Sequence, residues 1–274
     1  MNIIQQIALM GILEISMTDH AAAAQIARRL DDAERSSMPM ASFAAAAGLD
    51  INDGYEIQRH WVAQKIASGT HKIGHKIGFT SRGIQRIMRV DHPIYGVLLD
   101  TMRVPNQAAL PIGKFIQPRV EAEIVLVLGK DLSGTEVTLT EALNAVAGIV
   151  PAIEIIDGRV IAPNAIDIIA DNAGNAALIM GNQPVAPDHT DLRWISVLLH
   201  RNAAIEDSGV SGAVLGHPLL GLIELTKMLA HRGEALRAGE IILAGAFTTP
   251  LPVVAGDEIM ADYGKLGCLS VRFI

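Results

Sequence analysis

The residues with the clearest capacity for chemistry in this chain are three glutamates on two apolar segments. Glu121 and Glu123 stand near the start of the run Val120–Leu128, and Glu154 lies inside the run Ala152–Ile156. Side chains at positions i and i+2 of a strand project from the same face, so Glu121 and Glu123 would present two carboxylates side by side. A glutamate among isoleucine and alanine is costly to bury unless it is paired or binds a metal.

Carboxylates from two strands form a metal site built from oxygen donors. Such a site suits Mg²⁺ or Mn²⁺ with positions left for water and substrate oxygens, whereas zinc favours histidine or cysteine. We therefore predict that Glu121, Glu123 and Glu154 bind Mg²⁺ (or Mn²⁺). An E-x-E pair alone is more often an exposed strand end, because most glutamates are solvated, so the prediction depends on Glu154.

A second group of candidate residues surrounds Lys76, in an apolar run bracketed by glycines. Desolvation in such a run would lower the pKa of Lys76 and suit it to proton transfer or to holding a substrate carboxylate. The alternative is an exposed lysine whose aliphatic stem covers apolar surface. His75 precedes Lys76 directly and is predicted to line the same pocket as a substrate-binding residue.

Two helices are predicted ahead of these residues. Strong helix formers from Asp19 to Arg35 predict the first, with Asp19 as a possible N-cap. Asp53 and Glu56 have the spacing of a capping box and precede an apolar stripe at helical intervals, which predicts the second. The chain is therefore divided into a helical N-terminal region, residues 1–70, and a catalytic body.

The body, residues 71–274, consists of short β-branched runs separated by glycine and proline. Strands dominate without regular βαβ alternation, so the predicted fold class is α+β with a curled mixed β-sheet. Neither a G-x-G-x-x-G turn after a strand nor a phosphate-binding loop occurs, which argues against nucleotide binding. The predicted strands are Val120–Leu128, Ala152–Ile156, Ala177–Met180, Ile241–Leu243, Leu251–Val254 and Leu269–Phe273, and the predicted helices are Thr140–Val146 and Leu219–Ala230.

Composition restricts the class of protein. Half of the 274 residues are apolar but only 4% are aromatic, so the core must consist of aliphatic side chains. The net charge of -7, with no basic stripe, argues against a nucleic acid partner and favours a small ligand. The single cysteine, Cys268, excludes an intramolecular disulfide and fits the reducing cytoplasm.

The stretch Asn2–Met17 is apolar. It is too short to span a bilayer and lacks the basic residues that precede a signal-peptide core, so neither a membrane anchor nor export is expected. Two interpretations stay open, an extension upstream of the natural start or a helix that packs on a partner. Together with the low charge density, this stretch predicts a homo-oligomer.

The motifs as a set resemble the 2-oxopent-4-enoate hydratase and 4-oxalocrotonate decarboxylase family, a branch of the fumarylacetoacetate hydrolase-like superfamily. The resemblance runs from about Ile51 to Ile274 and is carried by co-linear stretches. These are GHKIGFTS, PIYGVLLD, QPRVEAEI, PAIEIID, ADNAGNA, DLRWIS, VLGHPL, AGEIILAGAFTTP and DYGKLGCLSVRFI. The resemblance implies a curled mixed-sheet body after a small helical region, and a metal-dependent lyase that acts on a small 2-oxo or 2-hydroxy-dienoic acid.

The resemblance also assigns roles to individual residues. The family's metal ligands fall on the three glutamates already named, and its catalytic lysine, in a G-x-K-x-G-x-T-S motif, falls on Lys76. Read without the family, the ADNAGNA turn and the GAFTTP loop are ordinary connections. The resemblance makes Asp171 and Asn172 of the first, and Thr248 of the second, candidates for substrate binding.

Two departures from the family pattern bear on the reaction. Hydratases usually carry Pro-Asp-Phe/Tyr-Gly, whose aspartate works with the lysine, but this chain has Ile94 at that position, as in a version that resembles the decarboxylases. Thr249 replaces the arginine that dicarboxylate hydratases tend to carry.

More of the motifs favour a hydratase, so we predict water addition to a 2-hydroxy-2,4-dienoate in aromatic meta-cleavage catabolism, giving a 4-hydroxy-2-oxo acid. A decarboxylase of the 4-oxalocrotonate type, acting on 2-oxo-3-hexenedioate, is the alternative. A non-catalytic partner protein of the same fold is a lesser one, because the intact glutamates and lysine argue against an inactive site.

Overall fold

The computed structural model describes residues 20–274, so the stretch Asn2–Met17 and the predicted cap Asp19 lie outside the described residues. Helices and strands are numbered in chain order. The helices are α1 (His20–Ser36), α2 (Ile51–Ala67), α3 (Arg82–Met88), α4 (Leu139–Ala145), α5 (Ala165–Ala170) and α6 (Pro218–Ala230). The strands are β1 (Met40–Ala41), β2 (Lys72–Gly78), β3 (Ile94–Leu99), β4 (Ala108–Leu110), β5 (Arg119–Leu128), β6 (Val146–Ile156), β7 (Val160–Ile161), β8 (Asn175–Met180), β9 (Ser196–Arg201), β10 (Ala204–Val210), β11 (Ile241–Leu243), β12 (Leu251–Pro252), β13 (Glu258–Asp262) and β14 (Cys268–Phe273).

The two predicted N-terminal helices are present as α1 and α2. Their apolar faces pack on each other, with Ile26 of α1 and Trp61 of α2 in one buried cluster. The capping box of α2 is formed by Asp50 and Asp53. The predicted pair, Asp53 and Glu56, is therefore wrong by one turn, since the same spacing occurs twice in succession.

The helical region also shares a core with the body. Val97, Leu99 and Met102, in and after β3, belong to the same buried cluster as α1 and α2. Burying these side chains together stabilises the contact between the two parts. A boundary at residue 70 stays a prediction.

The body contains two large sheets. A seven-stranded sheet has the order β3-β2-β11-β5-β6-β8, with β12 also paired with β5, and a five-stranded sheet has the order β10-β9-β13-β14-β4. In the larger sheet β11 pairs parallel with β2. All the other strand pairs of this sheet are antiparallel. The predicted α+β class with a mixed sheet is confirmed.

The seven-stranded sheet curls until its edge strands β3 and β8 meet. The N–H of Val104, beyond β3, donates to the carbonyl oxygen of Leu178 in β8 at 2.9 Å. The side chain of Asn172 accepts from the N–H of Val97 at 2.7 Å and donates to its carbonyl oxygen at 2.9 Å. A Cβ on Gly96 would lie 2.5 Å from the carbonyl oxygen of Asn172, so only glycine allows this approach.

The curl separates an inner from an outer face of this sheet. The inner face carries a small aliphatic cluster, formed by Leu98, Val125, Val150, Ala152, Leu178, Ile241 and Leu243. The outer face packs with the five-stranded sheet and α6 in the main core.

The segment Ser211–Ala230 is long and apolar enough to span a membrane. Its leucines, such as Leu222 and Leu225, are buried in the main core.

The other predicted elements differ from the structure mainly at their ends. The strand predicted at Ala152–Ile156 is the second half of β6, which begins at Val146. Val146 was predicted to end a helix, but α4 ends one residue earlier. The strand predicted at Leu251–Val254 is shorter, as β12.

The Asn172 side chain yields a test of how the sheet closes. Asn172→Ala removes two buried hydrogen bonds and leaves the N–H of Val97 without its partner, so we expect a loss of about 2–4 kcal/mol in the free energy of unfolding. Urea denaturation with linear extrapolation measures it. Asn182→Ala, at an exposed position, is the control, with an expected change within about 0.5 kcal/mol. Equal stabilities of the two variants would contradict this account of the closure.

Candidate active site

The three glutamates predicted to bind metal come together on the inner face of the curled sheet. Glu121 of β5 is the direct cross-strand partner of Glu154 of β6, and Glu123 follows two residues later. One carboxylate oxygen from each lies within 4.8 Å of the others. Glu123 and Glu154 are buried and Glu121 is half-buried, so the group opens to solvent on the Glu121 side.

Lys76 lies against these carboxylates. Its strand β2 is joined to β5 through β11, where Leu243 pairs with both Lys76 and Val125, so the lysine shares their inner face. Its Nζ is 3.2 Å from each carboxylate oxygen of Glu154. The side chain is buried, and the alternative of an exposed lysine is wrong.

Backbone and side-chain groups hold the glutamate strand in place. The N–H of Gly245 donates to Oε2 of Glu123 at 2.8 Å, and the N–H of Ala122 donates to Oγ1 of Thr248 at 2.9 Å. The hydroxyl of Tyr263 lies between the carbonyl oxygens of Glu123 and Ala152. The sequence did not indicate Tyr263 and Gly245 as site residues, although both lie in stretches that carry the resemblance to the family.

Burial and mutual repulsion perturb the pKa values of these groups. Burial raises the pKa of Glu121 to about 7, and the nearby charge of Glu154 adds to the effect. The pKa of Glu123 is raised for the same reasons. Burial lowers the pKa of Lys76, but the attraction of the carboxylates outweighs it and the net shift is upward. The predicted downward shift is wrong, because it considered desolvation without the charges that face the lysine.

A divalent cation fits this donor set. One ammonium faces three carboxylates, so the buried group carries an excess of negative charge when ionised. Oε1 of Glu154 is buried and makes no aligned hydrogen bond among the described residues, although Nζ of Lys76 lies 3.2 Å from it. The donors are all oxygens, which is the chemistry that Mg²⁺ and Mn²⁺ prefer.

His75 does not share this site. It pairs with Ile242 and Val97, one position away from the Lys76 row, and successive side chains of a strand point to opposite faces. Its ring instead meets Tyr95 edge-to-face, with centroids 5.9 Å apart. The prediction that His75 lines the pocket is wrong, since adjacency in sequence places a strand neighbour on the other side of the sheet.

Asp171 and Asn172 are also occupied elsewhere. Oδ1 of Asp171 accepts from Nε of Arg159 at 2.6 Å, in a pair that is buried on both sides. Asn172 uses both ends of its amide on Val97. Their roles in substrate binding stay predictions, and in the structure their polar atoms hold the loop that precedes β8.

Asn175 is the residue of that loop which the sequence analysis did not select. It pairs with Ile156 across an irregularity in β8, and Ile156 lies two residues beyond Glu154, so Asn175 falls on the inner face. Both atoms of its amide are buried with no hydrogen-bond partner among the described residues. Arg159 donates to its backbone carbonyl at 3.0 Å. Strand alternation alone would not have revealed this orientation, which depends on the bulge.

Comparison with known proteins places the chain in a family. The family described as fumarylacetoacetate (FAA) hydrolase C-terminal matches residues 80–274. The chain belongs to this family. Membership confirms the resemblance that the motifs indicated, including the curled mixed sheet.

Both branches of the predicted activity occur among the relatives. A 2-oxo-hept-4-ene-1,7-dioate hydratase from Escherichia coli is 43% identical over 258 residues, which cover 91% of this chain and 97% of that protein. A structure of 4-oxalocrotonate decarboxylase from Pseudomonas putida G7 with magnesium and adipate has a TM-score of 0.92 at 32% identity, covering 94% of this chain and 99% of that one. The same decarboxylase complexed with calcium and acetate has a TM-score of 0.91, again at 32% identity, 94% and 99% coverage. Dependence of this lyase on a divalent metal is consistent with these complexes.

The carboxylate group predicts how metal affinity responds to substitution. Glu154→Gln removes one charged ligand oxygen, and we expect Mg²⁺ affinity to fall by at least about tenfold. The fold should be kept, since repulsion among the remaining carboxylates is relieved. Isothermal titration with Mg²⁺ measures the affinity, with circular dichroism as the check on folding. Glu136→Gln, an exposed glutamate outside the site, is the control, and unchanged Mg²⁺ affinity in Glu154→Gln would refute the assignment.

The raised pKa of Glu121 predicts a pH dependence of metal binding. Because that pKa is about 7 in the metal-free site, Mg²⁺ must displace a proton below pH 7 and meets an ionised carboxylate above it. Mg²⁺ affinity should therefore rise with pH through the region near 7, and more steeply wherever Glu123, whose pKa is also raised, releases its proton as well. Titrations in two buffers of different ionisation enthalpy reveal the released proton. An affinity independent of pH between about 5.5 and 7 would contradict this expectation.

Proposed function

We propose that this protein is a Mg²⁺-dependent hydratase that adds water to a 2-hydroxy-2,4-dienoate and gives a 4-hydroxy-2-oxo acid, as a step in aromatic meta-cleavage catabolism. The observation that carries the proposal is the contact of Lys76 with Glu154 inside the carboxylate group. A non-catalytic protein has no need to keep three carboxylates around a single buried ammonium, because the excess negative charge is costly without a ligand. The similarity to the E. coli hydratase supports the reaction.

The site residues divide the work as follows. A cation held by Glu121, Glu123 and Glu154 would supply Lewis-acid stabilisation of the negative charge that develops on the substrate oxygens. Lys76 is held in its charged form by the same carboxylates. It therefore acts as a proton donor to the conjugated chain of the substrate, or as a positive contact for its carboxylate.

Three polar groups near the carboxylates are suited to hold the substrate. The unpaired amide of Asn175 offers both a donor and an acceptor. Thr248 keeps its hydroxyl proton available, since that oxygen accepts from Ala122. Arg119 is exposed and shares the inner-face row of Ile156 and Asn175. Its positive charge suits the distal carboxylate of a dicarboxylic substrate. It would replace the arginine that dicarboxylate hydratases tend to carry where this chain has Thr249.

A decarboxylase is the second candidate, and the position of Ile94 favours it. Ile94 pairs with Gly78, and a Cβ built on Gly78 would lie 3.2 Å from Cγ1 of Ile94 and 3.9 Å from Nζ of Lys76. The position that hydratases of the family fill with an aspartate is therefore beside the lysine, and here it is apolar. An apolar neighbour offers no proton carrier to the attacking water. It also disfavours a charged carboxylate of the substrate, and that carboxylate leaves as CO₂ in a decarboxylation.

We also propose that the protein acts in the cytoplasm as a homo-oligomer. Large apolar side chains such as Trp194 and Ile205 are 68% and 59% exposed in the single chain. Exposed apolar area of this kind is typical of subunit contacts. Light scattering at micromolar concentration gives the mass, and a strictly monomeric mass would remove this part of the proposal.

The reaction is decided by offering the Mg²⁺ enzyme three substrates separately: 2-hydroxypenta-2,4-dienoate, 2-hydroxyhepta-2,4-dienedioate and 2-oxohex-3-enedioate. We expect ultraviolet loss of the dienol and a hydrated product from one or both dienoates, without CO₂. CO₂ release from the third substrate alone would establish the decarboxylase instead.

Arg119→Gln should raise KM for the dienedioate while leaving KM for the pentadienoate within about twofold, if the arginine binds the distal carboxylate.

Substitution of Ile94 separates the two candidates further. Ile94→Asp restores a carboxylate beside Lys76 and should raise kcat for hydration, whereas Ile94→Asn, of similar size but neutral, should not. Steady-state kinetics at saturating Mg²⁺ measures both variants, and thermal unfolding confirms that both fold. Equal hydration rates in Ile94→Asp and Ile94→Asn would show that this position carries no proton.

A further inference from the structure

A second group of potential metal ligands lies between α1 and α2, away from the inner face of the curled sheet. It consists of His20, the first residue of α1, and Glu56 and His60, one turn apart on α2. Nδ1 of His20 lies 3.0 Å from Oε1 of Glu56, and Nε2 of His60 lies 3.3 Å from the same oxygen. All three atoms lie within 4.8 Å of one another.

The bonding around these atoms is incomplete. Arg59 takes the other carboxylate oxygen of Glu56, so Oε1 alone faces the two imidazoles. Nε2 of His60 is buried and makes no aligned hydrogen bond among the described residues, although Oε1 of Glu56 lies 3.3 Å from it. A ring nitrogen in this position is suited to bind a metal ion. Burial raises the pKa of Glu56, but Arg59 and His20 outweigh it and hold that pKa below its usual value.

Two of the three spacings between ligand atoms match a tetrahedral ion, and the third pair lies within 4.8 Å. Nitrogen and oxygen ligands at about 2.0–2.1 Å from zinc lie about 3.3 Å from one another at the tetrahedral angle. The two nitrogen-to-oxygen distances, 3.0 and 3.3 Å, are close to this value. Imidazole pairs with a carboxylate favour zinc and the neighbouring late transition metals over Mg²⁺.

We propose that His20, Glu56 and His60 form a second metal site, specific for Zn²⁺ or a similar late transition-metal ion and independent of the glutamates near Lys76. The open fourth position takes water, since the side chain of His20 is 82% exposed. An ion there joins the start of α1 to the middle of α2. Its effect is to fasten the helical region, and it does not depend on the proposed reaction.

Zn²⁺ binding to the Mg²⁺-saturated protein tests the site. Isothermal titration should show one Zn²⁺ bound per chain, with affinity reduced at least about tenfold in His60→Gln and in His20→Ala. His189→Ala is the matched control, because His189 is exposed beside Asp188 and lies outside the group. It should bind Zn²⁺ as the unaltered protein does. Full Zn²⁺ affinity in both His60→Gln and His20→Ala would overturn the proposal.

A second set of measurements separates this site from the oxygen site. Glu154→Gln should keep its Zn²⁺ affinity, and loss of binding there would mean that the ion occupies the glutamates near Lys76 instead. Co²⁺ added to the Mg²⁺ protein should give the intense visible absorption of a tetrahedral ion, absent in His60→Gln. Zn²⁺ should also raise Tm in the unaltered protein and in His189→Ala, but not in His60→Gln. An equal rise in His60→Gln would count against the site even if that variant is less stable.

Discussion

Confinement of three carboxylates with one ammonium on the inner face of a curled sheet is the constraint on which the site depends. Glu121, Glu123 and Glu154 repel one another, and burial strengthens the repulsion because little water is present to screen it. Lys76 offsets part of this charge. The remaining negative charge favours binding of a cation among the three carboxylates.

The fold satisfies this constraint with rigid elements. Each charged side chain stands on a strand of one sheet, and the hydroxyl of Tyr263 and the N–H of Gly245 fix the strand that carries Glu123. Asn172 and the pair of Arg159 with Asp171 fasten the loop ahead of β8. Asn172 and Asp171, which the sequence offers as substrate-binding residues, thus help to hold the scaffold that sets the distances between the residues of the site. Preorganisation of this kind keeps the cost of reordering out of the reaction.

The sequence predicted the carboxylate group well because its geometry is mostly local. The i and i+2 spacing of Glu121 and Glu123 fixes their common face, and the apolar context of Glu154 implies burial. The same alternation rule, applied to His75, would have excluded it. Asn175 and the charge state of Lys76 could not be predicted, since one depends on a bulge and the other on carboxylates that approach only in the folded sheet.

Insertion of β11 between β2 and β5 has a consequence for synthesis on the ribosome. Ile241–Leu243 join strands that were made far earlier, so the hydrogen-bonding edges of β2 and β5 stay unpaired until this later segment has been made. Such non-local pairing is slow and leaves exposed strand edges that invite aggregation. A nascent chain of this protein therefore carries Lys76 and the three glutamates without the complete sheet that positions them until Ile241–Leu243 have been made, and its strand edges stay exposed for that time.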